Sequence, residues 1–457
     1  MNTIIQSFSI KGLFGTTDFS MPFNSKAKIL IGENGLGKTQ ILNMLYYTLM
    51  RRFERLLEYS FESITLVLHN EDPITIRKIE IEQQFHTIPV VKEVIEKIGM
   101  AKFLEVYNLF PNGEDMMYET RRNSSKRRVI ENLPISNGML AEALDSFSRS
   151  NKKQRNMFDS HLDSHRIAIE RALKESQVLY FPTYRRVEED LHNLGYDEER
   201  FGINREDTRL INFGMDDVDR KFSEITQQIE RLSKEGLSKI SSEILSQLVK
   251  GIPQVDKDFL KTIDNQDIEI ILARVGNQIT DDDKLKIKSI VETKEIEAKN
   301  NTLLYFLQKL IKIYDQQREL DNYIKSFRDV CNKYLANKEL IYDESSLEIF
   351  LRVKGNLYGP NLKLSKLSSG EKQIISIFSK IYLAPTGTNF VVLFDEPELS
   401  LSIFWQRQLL PDIFRSEKCR TLLAVTHSPF IFENELDEFA IDLSQYLNPT
   451  SFQPEIL

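Results

Sequence analysis

The sequence predicts an α/β fold in which the two ends of the chain build one domain, with an antiparallel β portion at the N terminus and a large helical insertion between. Three observations lead there. Short apolar runs that read as strands cluster before residue 90 and after residue 346, and those of the C-terminal part alternate with helical stretches, as in a parallel sheet covered on both faces. The stretch ILIGENGLGKTQIL (29–42) is an apolar strand, a glycine turn and the start of a helix. From about 205 to 340 the apolar residues recur at helical spacing instead. The division expected is residues 1–90, a mainly helical insertion at 91–345, and residues 346–457, with the strand at 177–186 returning to the terminal domain.

In order along the chain, IIQSFSIKGL and KAKILIGEN bracket a polar turn region, and SITLVLHN and PITIRKIEIEQQF read as paired strands. Strand pattern then fades until QVLYFPTYRR at 177–186. Phe222, Ile225, Ile229 and Leu232 fall at helical spacing, as do Leu303, Leu307, Leu310 and Tyr314, which predicts helical hairpins with buried seams. Gly236, Gly251 and Pro253 interrupt the run, so a compact or elbowed helical domain is expected and not a long coiled-coil arm. LEIFLRVKG, TNFVVLFDEP, TLLAVTHS and EFAIDLSQ supply the later strands.

Composition sets outer limits. Of the 457 residues 41% are hydrophobic and 28% charged, an ordinary balance for a protein with real cores. The net charge of −8 gives no general affinity for nucleic acid, so any such contact is local. Two cysteines, Cys331 and Cys419, lack metal-ligand spacing and suit a reducing compartment. The start MNTIIQSFSIKGLFG is unlike a signal peptide, and no apolar run approaches the ~20 residues that span a bilayer. A cytoplasmic protein without a membrane partner is expected.

Gly32, Gly37, Lys38 and Thr39 complete the pattern G-x-x-x-x-G-K-[ST]. Glycines let the backbone wrap a phosphate with its N–H groups, and the following helix adds its positive end. Asn34, Gly35 and Gln40 belong to the same turn and helix start. Lys38 is placed to reach the β and γ phosphates of ATP and the Thr39 hydroxyl to ligate Mg²⁺. Asp395 and Glu396 end the apolar run FVVLF: one carboxylate suits the metal, and the second suits polarising the attacking water.

The string LSSGEKQ, 367–373, lies just upstream of that strand. Ser368 and the Gly370 amide open a helix, with Glu371 next, which makes a second anion site. In this order the motifs resemble the ABC-type ATPases, whose signature carries glycine where this chain has Ser369. The resemblance implies that His427 is the switch histidine and that Glu398-Leu399-Ser400-Leu401 is the loop crossing a dimer interface; Ser402 stands where many relatives carry histidine. It also implies that each nucleotide sits between Lys38 of one protomer and Ser368 of another, so that hydrolysis needs at least a dimer. Gln83 and Gln84, ending a predicted strand, are the only tempting positions for the family's remaining glutamine.

The opening strands, ILIGENGLGKT and DEPELSL resemble the branch of ABC-type ATPases that includes RecF and the OLD nucleases. Only the 30 residues 428–457 follow His427, without an acidic metal cluster, so no nuclease in cis is expected. The length and the YFPTYRRVEED string look most like the ATPase subunit of Septu-type anti-phage systems, the PtuA-like proteins. That family implies a separate HNH-type nuclease subunit. A RecF-like DNA-repair ATPase is the alternative, and a scaffold with structural ATP a third reading.

Other features carry less. Tyr184, Arg185 and Arg186 suit an ion pair more than a phosphate contact. Between 121 and 155, Arg121, Arg122, Lys126, Arg127, Arg128, Arg149, Lys152, Lys153 and Arg155 face only Glu131, Glu142 and Asp145. DNA phosphates, an acidic partner or solvent would each suit that patch. His161 and His165 stand at i, i+4 without a third ligand, which favours a surface helix over a metal site.

Overall fold

The structure is a computed structural model that describes residues 3–183 and 215–449, apart from 34, 87, 111–112, 123, 132, 155–160, 256–258, 260–262, 276–278, 294–300 and 357–358. In chain order the strands are β1 (Ile5–Leu13), β2 (Thr17–Pro22), β3 (Ala27–Ile31), β4 (Ser63–Leu68), β5 (Ile74–Arg77), β6 (Ser176–Phe181), β7 (Lys338–Asp343), β8 (Glu348–Val353), β9 (Asn389–Asp395), β10 (Cys419–Thr426), β11 (Ala440–Asp442) and β12 (Leu447–Pro449). The α-helices are α1 (Lys38–Leu49), α2 (Lys78–His86), α3 (Pro89–Ile98), α4 (Met100–Leu109), α5 (Gly113–Arg122), α6 (Ser124–Glu131), α7 (Asn137–Gln154), α8 (His161–Ala172), α9 (Met215–Lys250), α10 (Asn265–Arg274), α11 (Asp281–Thr293), α12 (Asn301–Asn332), α13 (Ser369–Tyr382) and α14 (Ile403–Phe414). No helix among the described residues is long and apolar enough to cross a membrane. Two compact units result: Met1–Asn212 with Thr386–Leu457, and Phe213–Pro385.

The first unit is a mixed α/β structure. Its antiparallel sheet has the order β12-β2-β1-β4-β5, and its parallel sheet the order β11-β3-β10-β9-β6. In β1, Ile5, Phe8, Ile10 and Leu13 are buried, and a register shift between Ile10 and Leu13 keeps Leu13 on the core side. The strands β3, β9 and β10 are nearly continuous apolar runs, as parallel strands covered on both faces must be. Phe8 and Phe19 of the antiparallel sheet, Leu42 and Leu45 of α1, and Val391, Leu393, Leu423 and Val425 of the parallel sheet share one core. Each such side chain contributes roughly 1.5–3 kcal/mol by leaving water. The parallel strands therefore hold their C-terminal ends rigidly, which is where open α/β sheets bind ligands.

One predicted strand is half helix. PITIRKIEIEQQF gives β5 as far as Arg77 and then α2, so Gln83 stands exposed on a helix and not at a strand end. The alternation of Ile79 and Ile81 imitates a strand, but only Ile81 is buried, at 1% exposure against 56% for Ile79. Residues two apart share a face on a strand and lie on opposed faces of a helix.

The second unit holds α9 to α13 and the hairpin β7–β8. Gly236 does not interrupt α9; a Cβ there would stand 2.5 Å from Ile313 Cδ1, so glycine permits close packing of α9 on α12. The helix stops instead before Gly251, which has a left-handed φ of +95°. LEIFLRVKG forms β8, which pairs antiparallel with β7 in a sheet of its own and does not enter the parallel sheet. Ile268, Ile271, Leu272, Leu304, Leu307 and Leu310 belong to one apolar core cluster of this unit.

Candidate functional site

The site lies at the C-terminal ends of β3, β9 and β10, which are adjacent and parallel. Directly after β3 the chain turns through Gly32 to Gly37 into α1. Gly35 and Gly37 have φ of 92° and 80°, left-handed values that glycine adopts without steric cost. Gly37 has a second constraint, because a Cβ there would lie 2.3 Å from the ring of Phe14 at the β1–β2 turn. The first turn of α1 carries neither an acidic residue nor a side-chain cap, which leaves its N–H groups available to an anion. Gln40 is exposed on that turn, and Asn34 lies outside the described residues.

Lys38 is only 6% exposed, and its ammonium donates to the carbonyls of Gly32 (2.8 Å) and Glu33 (2.9 Å). Burial lowers its pKa, while Glu396, Asp395 and Glu398 act in the opposite direction. The Thr39 hydroxyl donates to Oδ1 of Asp395 at 3.0 Å. The other Asp395 oxygen accepts a 2.7 Å hydrogen bond from the Thr183 hydroxyl, just beyond β6. Hydroxyl and carboxylate oxygens side by side are a hard donor set of the kind Mg²⁺ prefers.

Glu396 follows at the tip of β9 with a φ of 49°, and its N–H donates to the Val425 carbonyl. Its Oε1 stands 3.8 Å from Nε2 of His427, which follows β10. Burial first, then the charges of Asp395 and Glu398, raise its pKa, while His427 and Lys38 pull it down. A carboxylate so placed is a better base than one in water. The structure thus brings Gly32, Gly37, Lys38, Thr39, Asp395, Glu396 and His427 together, and the residues fit a nucleotide with Mg²⁺.

Ser368, Gly370 and Glu371 belong to the second unit. Ser368 caps α13 in a reciprocal box: its hydroxyl accepts from the Glu371 N–H at 3.4 Å, and Glu371 accepts from the Ser368 N–H at 2.7 Å. Lys338 donates to both Glu371 oxygens, at 3.2 and 2.9 Å. Burial works to raise the Glu371 pKa, but Lys338 and Ser368 outweigh it and the carboxyl sits below its ordinary value. Ser369 is the first helical residue and has no positive φ, so the change from glycine needs no special backbone. Ser402 caps α14 by accepting from the Trp405 N–H.

Sequence reasoning passed over Thr183 and Phe14. A hydroxyl ending the strand beside β9 was in principle readable from sheet order, whereas nothing near Phe14 announces its contact with Gly37. Tyr184, Arg185, Arg186 and Arg155 lie outside the described residues. The basic residues at 121–153 sit on α5, α6 and α7, and those whose side chains are described, Arg127 and Arg128, are exposed. The His161 and His165 rings pack edge to face on α8, and no group of three metal-ligating side chains occurs among the described residues.

This arrangement defines a P-loop nucleotide-binding site. The family model described as AAA ATPase domain matches residues 4–432. The chain belongs to that family and is an ATPase. Comparison with curated proteins gives no match.

Proposed function

We propose that this ATPase is the regulatory subunit of a Septu-like anti-phage defence complex, and that ATP binding and hydrolysis control a separate HNH-type DNA nuclease. The observation that supports nucleotide-driven work most directly is the convergence of Thr39, Asp395, Glu396 and His427 at the ends of three adjacent strands. Lys38 and the amides of the glycine turn neutralise the phosphates. Glu396 takes the proton of the attacking water, with His427 beside it. Thr39 and Asp395 would hold Mg²⁺, which would supply positive charge to offset that of the transferred phosphoryl group. Ser368 of a second protomer completes the site, so that the protein works as at least a dimer. Nuclease activity belongs to the partner and not to this chain.

Co-purification with the product of the adjacent gene, followed by plasmid cleavage with and without ATP, tests this. The expected result is a stable complex whose cleavage responds to nucleotide. A chain that finds no partner, cuts nothing and binds DNA by itself in an ATP-dependent way is instead a DNA-repair ATPase, with exposed Arg127 and Arg128 the first residues to substitute.

A further inference from the structure

Glu396 and Ser400 both hold left-handed backbone, with φ of 49° and 66°. Neither is glycine, and such conformations persist only where the surroundings fix them. What fixes them lies between. The Glu398 carboxylate accepts the Thr426 hydroxyl on Oε2 at 2.7 Å and the His427 N–H on Oε1 at 2.8 Å. The Ser428 N–H reaches the same Oε1 at 3.2 Å and the Thr426 hydroxyl oxygen at 3.0 Å. On the other side Gln406 of α14 donates to the carbonyls of Glu398 (3.3 Å) and Leu401 (3.0 Å). Its own carbonyl oxygen accepts the Ser428 hydroxyl at 2.6 Å.

We propose that Glu398 and Gln406 are positioning residues for hydrolysis, a clamp that ties the segment Glu398–Leu401 to the loop carrying His427. The clamp rests on the reading of this site as the hydrolytic one. A strand that ends in a free loop leaves its last side chain mobile, and here the backbone N–H of His427 itself is held. The ring thereby keeps its place 3.8 Å from Glu396, and any displacement of residues 398–401 passes to His427. A carboxylate suits the position because it offers two acceptor oxygens to three converging donors.

Steady-state ATP hydrolysis by the full chain tests the clamp. Glu398→Ala is expected to lower kcat roughly 10–100-fold and leave KM for ATP within about threefold, because an unclamped His427 misplaces the reacting groups without touching the phosphate turn. Glu398→Gln retains an acceptor for the two N–H groups, and its NH₂ donates to the Thr426 hydroxyl oxygen once that hydroxyl turns to the Ser428 carbonyl 3.4 Å away. It is expected to restore kcat to within about threefold of wild type. With kcat expressed per molecule of nucleotide-binding protein, a purely structural role would leave it at the wild-type value. Gln406→Ala, expected to change kcat in the same direction, carries the test if Glu398→Ala does not fold. Wild-type kcat in Glu398→Ala or in Gln406→Ala, or a Glu398→Gln protein as impaired as Glu398→Ala, overturns the clamp. A wild-type protein that does not hydrolyse ATP removes the proposed function first, so the two failures are distinct.

Discussion

Glutamine in place of Glu396 is expected to reduce kcat for ATP hydrolysis roughly 10²–10⁴-fold, the range that a positioned general base contributes. Nucleotide affinity should change little, because Lys38, Thr39 and the glycine turn are untouched. The substitution is nearly isosteric and the Glu396 N–H keeps its bond to Val425, so the left-handed backbone is not at stake. The same residue is expected to set the pH dependence. Its pKa is raised by burial and by the charges of Asp395 and Glu398, so the base is lost to protonation at a higher pH than for an ordinary glutamate. The acid limb of kcat in the wild-type enzyme should accordingly lie above the usual carboxylate range, and should disappear from the residual activity of the glutamine variant. A variant with full kcat would remove Glu396 from the chemistry.

Asp321→Ala is expected to destabilise the second unit by about 3–5 kcal/mol, the cost of leaving a buried charge without its partner. Arg274 and Asp321 have side-chain exposures of 6% and 0%, and one guanidinium nitrogen donates to both Asp321 oxygens, at 2.8 and 3.0 Å. The other Arg274 donors reach Gln317 at 2.7 Å and the Glu344 carbonyl at 3.0 Å, while the Tyr342 hydroxyl donates to Asp321 at 2.5 Å. Burial and then Asp321 push the Tyr342 phenol far above its ordinary value, so it stays a donor. The network joins α10, α12 and the β7–β8 hairpin at one point. Urea unfolding followed by far-ultraviolet circular dichroism reads the loss. The pair replacement Arg274→Met with Asp321→Leu should recover most of it, because an apolar substitute strands no charge. A loss under about 1 kcal/mol for Asp321→Ala would contradict this account.

The geometry of the site was legible where it is written contiguously. Gly32 to Thr39 lie in one turn, and Asp395 and Glu396 are adjacent at the end of an apolar strand, so spacing and strand logic place them. The contacts of Glu398 were not legible, because it meets Thr426 and Ser428 28 and 30 positions away and no motif links them. Period was the other source of error. Ile79 and Ile81 alternate as on a strand, yet only one reaches the core. Gly236 reads as a break, but α12 approaches so closely there that glycine is what keeps α9 continuous. In both places tertiary packing overrides the local signal.

A mixing experiment decides whether hydrolysis occurs at a site shared between protomers, as proposed above. Lys38→Ala and Ser368→Ala proteins are each assayed for ATP hydrolysis, then mixed in equal amounts and assayed again. With a shared site, a mixed dimer would have one site with intact Lys38 facing intact Ser368 and one site with neither. Statistical pairing then restores about a quarter of the wild-type sites. Activity is expected to appear on mixing the two inactive proteins. A mixture no more active than the mean of its components would contradict a shared site and place the whole reaction within one chain.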